Sequence, residues 1–160
     1  MYDISTGSKA YDLMWLLLQT SDVVDRVLSR HCHLIETSVS AAQILYLLEG
    51  MGSPQTAYKL ARLSGKQHHS IVELTNRMKA RGLITRTEFT TDEGKKSGLV
   101  LTDAGRDMLK AFVDSKAIDD IVQHMSTGDL GKLMNGLTHL RDGGMKQAGE
   151  IHRGEVTLWK

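Results

Sequence analysis

The string Lys66-Gln67-His68-His69-Ser70 sets five polar side chains, none of them acidic, at consecutive positions. An amide can bond adenine at two points, a hydroxyl serves as donor or acceptor, and imidazoles donate to guanine or to phosphate. One turn further on, Glu73, Asn76 and Arg77 continue the same side of a helix. A second cluster, Asp92-Glu93-Gly94-Lys95-Lys96-Ser97-Gly98, places two acids beside two lysines among glycines, with Arg86 upstream. A lysine at such a tip can reach a phosphate or a minor groove, although many surface hairpins carry similar residues. The third constellation is His31-Cys32-His33. These are good zinc-ligand types, but consecutive helical residues point about 100° apart and cannot share one ion without a ligand from elsewhere. As a redox sensor Cys32 would need a depressed pKa, which a protonated histidine favours and a helix C-terminus opposes. No paired nucleophile and base, phosphate-cradling glycine loop or zinc-protease helix is present in the sequence. We therefore expect no catalytic residues, no cofactor, no metal and no enzymatic activity.

The elements that must position these residues follow from periodicity. Residues 9–34 predict a long helix, with Leu13, Leu16, Leu17, Val24, Val27, Leu28 and Leu34 at helical spacing and no Pro or Gly inside. A second helix follows Ser40 as its N-cap and is ended by Gly50 and Gly52. A short helix from about Gln55 stops at Gly65, and another runs from Gln67 to Arg81 with Ile71, Leu74 and Met78 inward and Gly82 as its C-cap. Two helices joined around a glycine form a helix-turn-helix. The polar string stands at the start of the second of them, where such a motif contacts base edges.

From Leu83 to Phe89 the period shortens to two, the stretch 91–98 is polar, and Leu99-Val100-Leu101 is again strand-like, so a β-hairpin with a charged tip follows. Asp103, or Thr102 before it, caps a helix carrying Met108, Leu109, Phe112 and Val113, and the chain from Ile118 to about Arg141 reads as helical. The fold class is mainly α with a small hairpin: a winged helix-turn-helix flanked by long N- and C-terminal helices. The boundaries fall at 1–37, 38–105, 106–142 and a flexible or extended tail, 143–160.

Length and charge agree with that plan. At 160 residues with 41% hydrophobic content, one domain with appended elements has core enough without disulfides, and the single cysteine suits a reducing compartment. The apolar cluster Leu13 to Leu18 is far short of the roughly 20 residues that span a bilayer, and the N-terminus lacks the basic start of a signal peptide. A cytoplasmic, non-membrane protein is expected. The net charge of +1 hides an asymmetry: residues 53–110 hold eleven Lys and Arg against six acids, and the remainder is correspondingly acidic. A basic middle can meet a polyanion while the ends serve another purpose.

Residues 40–110 also resemble a known family. Ala57-Tyr58-Lys59-Leu60-Ala61, then Asn76-Arg77-Met78-Lys79-Ala80-Arg81-Gly82-Leu83-Ile84, and Leu101-Thr102-Asp103-Ala104-Gly105 are similar to the MarR family of transcriptional regulators. The family wing commonly carries Asp-x-Arg about eight residues before the Leu-Thr pair, where this chain has Glu93-Gly94-Lys95. Charge is kept, but lysine is a point donor where arginine is a fork.

The resemblance implies a homodimer that binds a pseudo-palindromic double-stranded DNA operator. It would use Lys66, Gln67, His68, His69, Ser70, Glu73, Asn76, Arg77, Arg86, Lys95 and Lys96. It also implies a repressor that releases DNA when a small, often aromatic or phenolic effector binds between dimerisation and DNA-binding parts. Met14, Trp15, Leu18, Tyr46, Met51, Met108 and Phe112 are the pocket candidates, and the methionines would make a pliable lining. Arg77 would brace the wing acid, contact phosphate, or both. Helix 9–34 and Met125, Leu130, Leu133, Met134, Leu137 and Leu140 would form the dimer seam, although the same stripes could roof a monomer. Two alternatives stand beside this reading: a metal- or redox-sensing regulator using His31, Cys32 and His33, and a winged-helix protein-interaction module.

Overall fold

The computed structural model describes residues 7–92 and 94–147. Among the described residues seven helices and one antiparallel hairpin occur in the order α1 (Lys9–Leu34), α2 (Val39–Met51), α3 (Ala57–Ser64), α4 (His68–Ala80), β1 (Ile84–Thr91), β2 (Gly94–Leu101), α5 (Asp103–Asp114), α6 (Ala117–Val122) and α7 (Thr127–Gln147). The described residues divide into two compact units between Ile118 and Asp119.

In the first unit the core is built where the apolar stripes of α2, α3, α4 and α5 converge on the hairpin base. Ile44, Leu45, Leu60, Ile71, Met78, Ile84, Leu99, Leu101 and Leu109 are all buried. Helix α2 starts two residues earlier than its sequence suggests. Ser38, not Ser40, is the cap, and its Oγ accepts from the Ala41 amide at 3.2 Å. Helix α3 likewise begins later, at a Thr56 cap, because Gln55 is buried and its backbone exchanges both hydrogen bonds with Leu99, at 3.0 and 2.8 Å. That isolated bridge ties the α2–α3 loop to the wing.

The hairpin corrects the expected polar tip. The ladder pairs every residue from Ile84↔Leu101 to Thr91↔Gly94, so Lys95, Lys96 and Ser97 lie on a strand rather than in a loop. Backbone pairing extends past the apolar residues because the strand ends need only each other, not a buried face.

Thr102 explains why a Leu-Thr pair must precede the glycine three residues on. Its amide donates to the Leu83 carbonyl at 3.1 Å, its hydroxyl donates to the Gly82 carbonyl at 2.6 Å, and its Oγ1 accepts from the Gly105 amide at 3.1 Å. Thr102 thereby caps α5 and clamps it to the turn after α4. A Cβ on Gly105 would collide with the Leu83 carbonyl oxygen.

In the second unit the stretch expected to be helical is broken, though not at its glycines: α6 ends at Val122, residues 123–126 are not helical, and α7 starts at Thr127. Ser126 caps the restart, its Oγ accepting from the Asp129 amide at 3.1 Å and donating to the Asp129 carboxylate at 2.7 Å. Helix α7 continues to Gln147, so 143–147 are helical and not part of a tail. The remainder of the expected tail, 148–160, lies outside the described residues.

Candidate nucleic-acid interface

Helix α4 separates its two jobs by face. Ile71, Leu74, Thr75 and Met78 are buried, and that anchoring leaves Lys66, Gln67, His68, His69, Ser70, Glu73, Asn76 and Arg77 exposed. The turn from α3 is made by Gly65 at φ 65°, a left-handed conformation that costs glycine little. Gln67 is the N-cap but makes no side-chain cap hydrogen bond, so its amide is not spent on the helix terminus.

Beside this face lies an open cleft of about 370 Å³, lined by Ser38, Ser40, Lys66, Gln67, Ser70, Leu74 and Arg77. It carries two cations, three hydroxyls and an amide, and no acid. Such a lining suits a phosphate oxygen, which takes charge-assisted hydrogen bonds from Lys and Arg. The sequence string pointed to three of these residues, Lys66, Gln67 and Ser70, and the turn after it to Arg77. Ser40 was read only as a capping residue and Ser38 was not singled out; their approach to α4 is a tertiary fact that no local spacing carries.

The wing divides its cations. By the ladder register Arg86 pairs with Leu99 and Lys95 with Thr90, which puts Arg86 and Lys95 on one face of the hairpin. Lys96 pairs with Phe89 on the opposite face. All three are exposed, but no single flat surface can meet them together. Glu93, the wing acid that Arg77 was expected to brace, lies outside the described residues.

At the far end of α4, the Arg81 guanidinium donates to the Glu36 carbonyl at 2.6 Å. Glu36 sits at φ 53° in the α1–α2 turn, so this bond fastens the C-terminal end of α4 to the end of α1. Nothing in the sequence string flagged Arg81 for that role.

The expected effector residues do not gather inside the chain. Met14, Trp15, Leu18 and Tyr46 are 53, 65, 51 and 47% exposed, and Met51, Met108 and Phe112 are half-buried. A pocket drawing on the first four needs a wall that α1 and α2 do not supply. For the His31-Cys32-His33 alternative, His33 is exposed and Cys32 fully buried. Burial pushes the Cys32 thiol above its ordinary pKa, and the Asp25 carboxylate adds to the rise. The thiolate that redox sensing needs is thus disfavoured. Among the described residues no group of three His, Cys, Asp or Glu is placed to hold a metal ion. No described helix is long and apolar enough to cross a membrane.

No family model and no curated protein sequence matches the chain. Solved structures do. An organohalide-sensing transcriptional regulator in its 2,4-dichlorophenol-bound form is similar over all of this chain and 95% of its own, at TM-score 0.76 and 20% identity. CouR from Rhodococcus jostii RHA1, bound to p-coumaroyl-CoA, matches 85% of this chain and 95% of its own, at 0.72 and 19%. A MarR-family transcriptional regulator from Rhodococcus sp. RHA1 matches 85% and 97%, at 0.70 and 19%. The S. aureus MepR–DNA complex matches 85% and 99%, at 0.69 and 16%. With its helix-turn-helix, its paired wing and its flanking helices, the chain has the fold of the MarR-family transcriptional regulators.

Proposed function

We propose that this protein is a DNA-binding transcriptional regulator of the MarR type. One observation carries the reading: α4 buries one face and leaves Lys66, Gln67, His68, His69, Ser70, Asn76 and Arg77 exposed beside an acid-free cleft. The anchored face fixes the depth and angle at which the polar face would enter a major groove, and the wing's Arg86 and Lys95 would meet backbone phosphate. The MepR–DNA complex, which shares the fold, supports DNA as the partner.

The protein acts as a homodimer on a pseudo-palindromic operator. Helix α1 exposes Tyr11, Leu13, Met14, Trp15, Leu16 and Leu18, and α7 exposes Leu133, Met134, Leu137 and Leu140. Apolar runs of this extent on each helix call for a partner surface, and a second copy supplies one. Repression relieved by a small aromatic effector is the regulation we favour. Neighbours bound to 2,4-dichlorophenol and p-coumaroyl-CoA support that class, and the exposed Met14, Trp15 and Leu18 would line a site completed on assembly.

The test is a titration of the full chain against the duplex upstream of its own coding sequence and a scrambled duplex, at two salt concentrations. Preference for the first with steep salt dependence supports the reading. Equal affinity for both, or a salt-independent affinity, replaces it with a protein-interaction module.

A further inference from the structure

Three side chains from two helices meet at the Tyr58 ring across the Gly65 turn. Tyr58, on α3, is 56% exposed, so its ring contributes little to the core. Its centroid lies 6.3 Å from that of His68 with the planes tilted by 57°, within the range in which aromatic pairs attract. One helical turn along α3, the Arg62 guanidinium carbon stands 5.8 Å from the Tyr58 centroid, which is cation–π distance. His68 is the first residue of α4, is exposed, and makes no ring hydrogen bond among the described residues.

We infer that Tyr58 is a positioning residue for base recognition: it braces the His68 imidazole so that its ring nitrogens are presented to a base edge. The inference rests on the DNA-reading role proposed above. A histidine on an exposed first turn samples several rotamers, and freezing it on DNA costs free energy that subtracts from discrimination. An aromatic contact on one side removes much of that freedom before DNA arrives and leaves the nitrogens unspent. Arg62 steadies the tyrosine through its own contact with the ring. The contact needs the ring and not the hydroxyl, so phenylalanine should serve as well. A merely structural pair would add a little stability and leave base preference untouched.

The experiment is repeated selection of the full chain from a random-sequence duplex pool, with wild type, Tyr58→Phe, Tyr58→Ala, His68→Ala and Tyr58→Ala/His68→Ala compared. The expected result is a wild-type motif that Tyr58→Phe keeps. Tyr58→Ala should flatten the positions that His68→Ala flattens, by roughly fivefold or more in base preference, and the double variant should be no flatter than His68→Ala. Salt dependence on an unrelated duplex should match wild type, because no phosphate contact is removed. Three outcomes overturn the inference: His68→Ala leaves the motif unchanged, Tyr58→Ala keeps the preference that His68→Ala loses, or Tyr58→Ala blurs every position together with a lowered Tm. A wild type that selects no motif at all overturns the DNA-reading proposal itself, which separates the two failures.

Discussion

Cutting a base-reading side chain to alanine and cutting a phosphate-binding one have different consequences, and the proposed interface assigns one of each to an exposed position. His69 follows His68 on the free face of α4, whereas Lys95 projects from the wing. His69→Ala should cost about 1–3 kcal/mol on a matched duplex and little on a scrambled one. Lys95→Ala should weaken both alike and lower the slope of log affinity against log salt by about one. Fluorescence anisotropy at several salt concentrations separates the two; equal losses for His69→Ala on both duplexes would remove it from the reading set.

Cys32 invites a different prediction. Its thiol is buried and its pKa raised, chiefly by desolvation, so the folded chain holds that proton more tightly than the unfolded chain does. The stability linked to this group is fully present below the unfolded thiol pKa and is lost as pH rises through the folded value. Urea midpoints measured from neutral to alkaline pH should therefore fall more steeply for wild type than for Cys32→Ala. Thiol-modifying reagents should react slowly with the native chain at neutral pH, and fast native labelling would restore the redox reading.

At the scale of elements, the N-terminus of α5 is pinned to the Gly82–Leu83 turn that follows α4. Thr102 makes three hydrogen bonds there, and Gly105 approaches the Leu83 carbonyl too closely for any side chain. Gly105→Ala should destabilise by about 2–3 kcal/mol, the cost of forcing a methyl into a packed site, and Thr102→Ala by about 1 kcal/mol through loss of a cap. Denaturant melts check both, and a neutral Gly105→Ala would mean that α5 shifts freely on the hairpin. The same joint shows what was legible in the sequence. The long helix, the helix-turn-helix and the hairpin were readable because apolar periodicity and glycine stops are local. So was the polar string on α4, since inward Ile71, Leu74 and Met78 fix its outward side. The α2 cap, the Gln55–Leu99 bridge and the break between Val122 and Thr127 were misread or unseen. Two serines at 38 and 40 are equal as letters, and only tertiary placement chooses between them. Ser38 and Ser40 lie far from the string in sequence and, like Tyr58 on the preceding helix, reach it only through packing.

For the whole molecule, the proposed dimer ties exposed apolar surface to DNA affinity. Tyr11, Leu13, Trp15 and Leu16 on α1 are 52–65% exposed, and Leu133, Met134, Leu137 and Leu140 on α7 are 41–48% exposed. Neither set contributes to the buried core that positions α4, so a charge placed in either should disrupt association while sparing the winged helix. Leu16→Glu and Leu137→Glu should each shift sedimentation from dimer towards monomer and leave most far-ultraviolet circular dichroism intact. Two reading heads joined in one particle bind the second half-site at high effective concentration, which is worth about 10²–10⁴ in avidity when the geometry fits. A dimer-breaking variant should therefore lose most of that factor on a duplex with both half-sites and change little on a duplex with one. Equal affinity of Leu16→Glu and wild type for the two-site duplex, with the variant monomeric in solution, would show that a single winged helix does the binding. The exposed stripe of α1 would then need another partner.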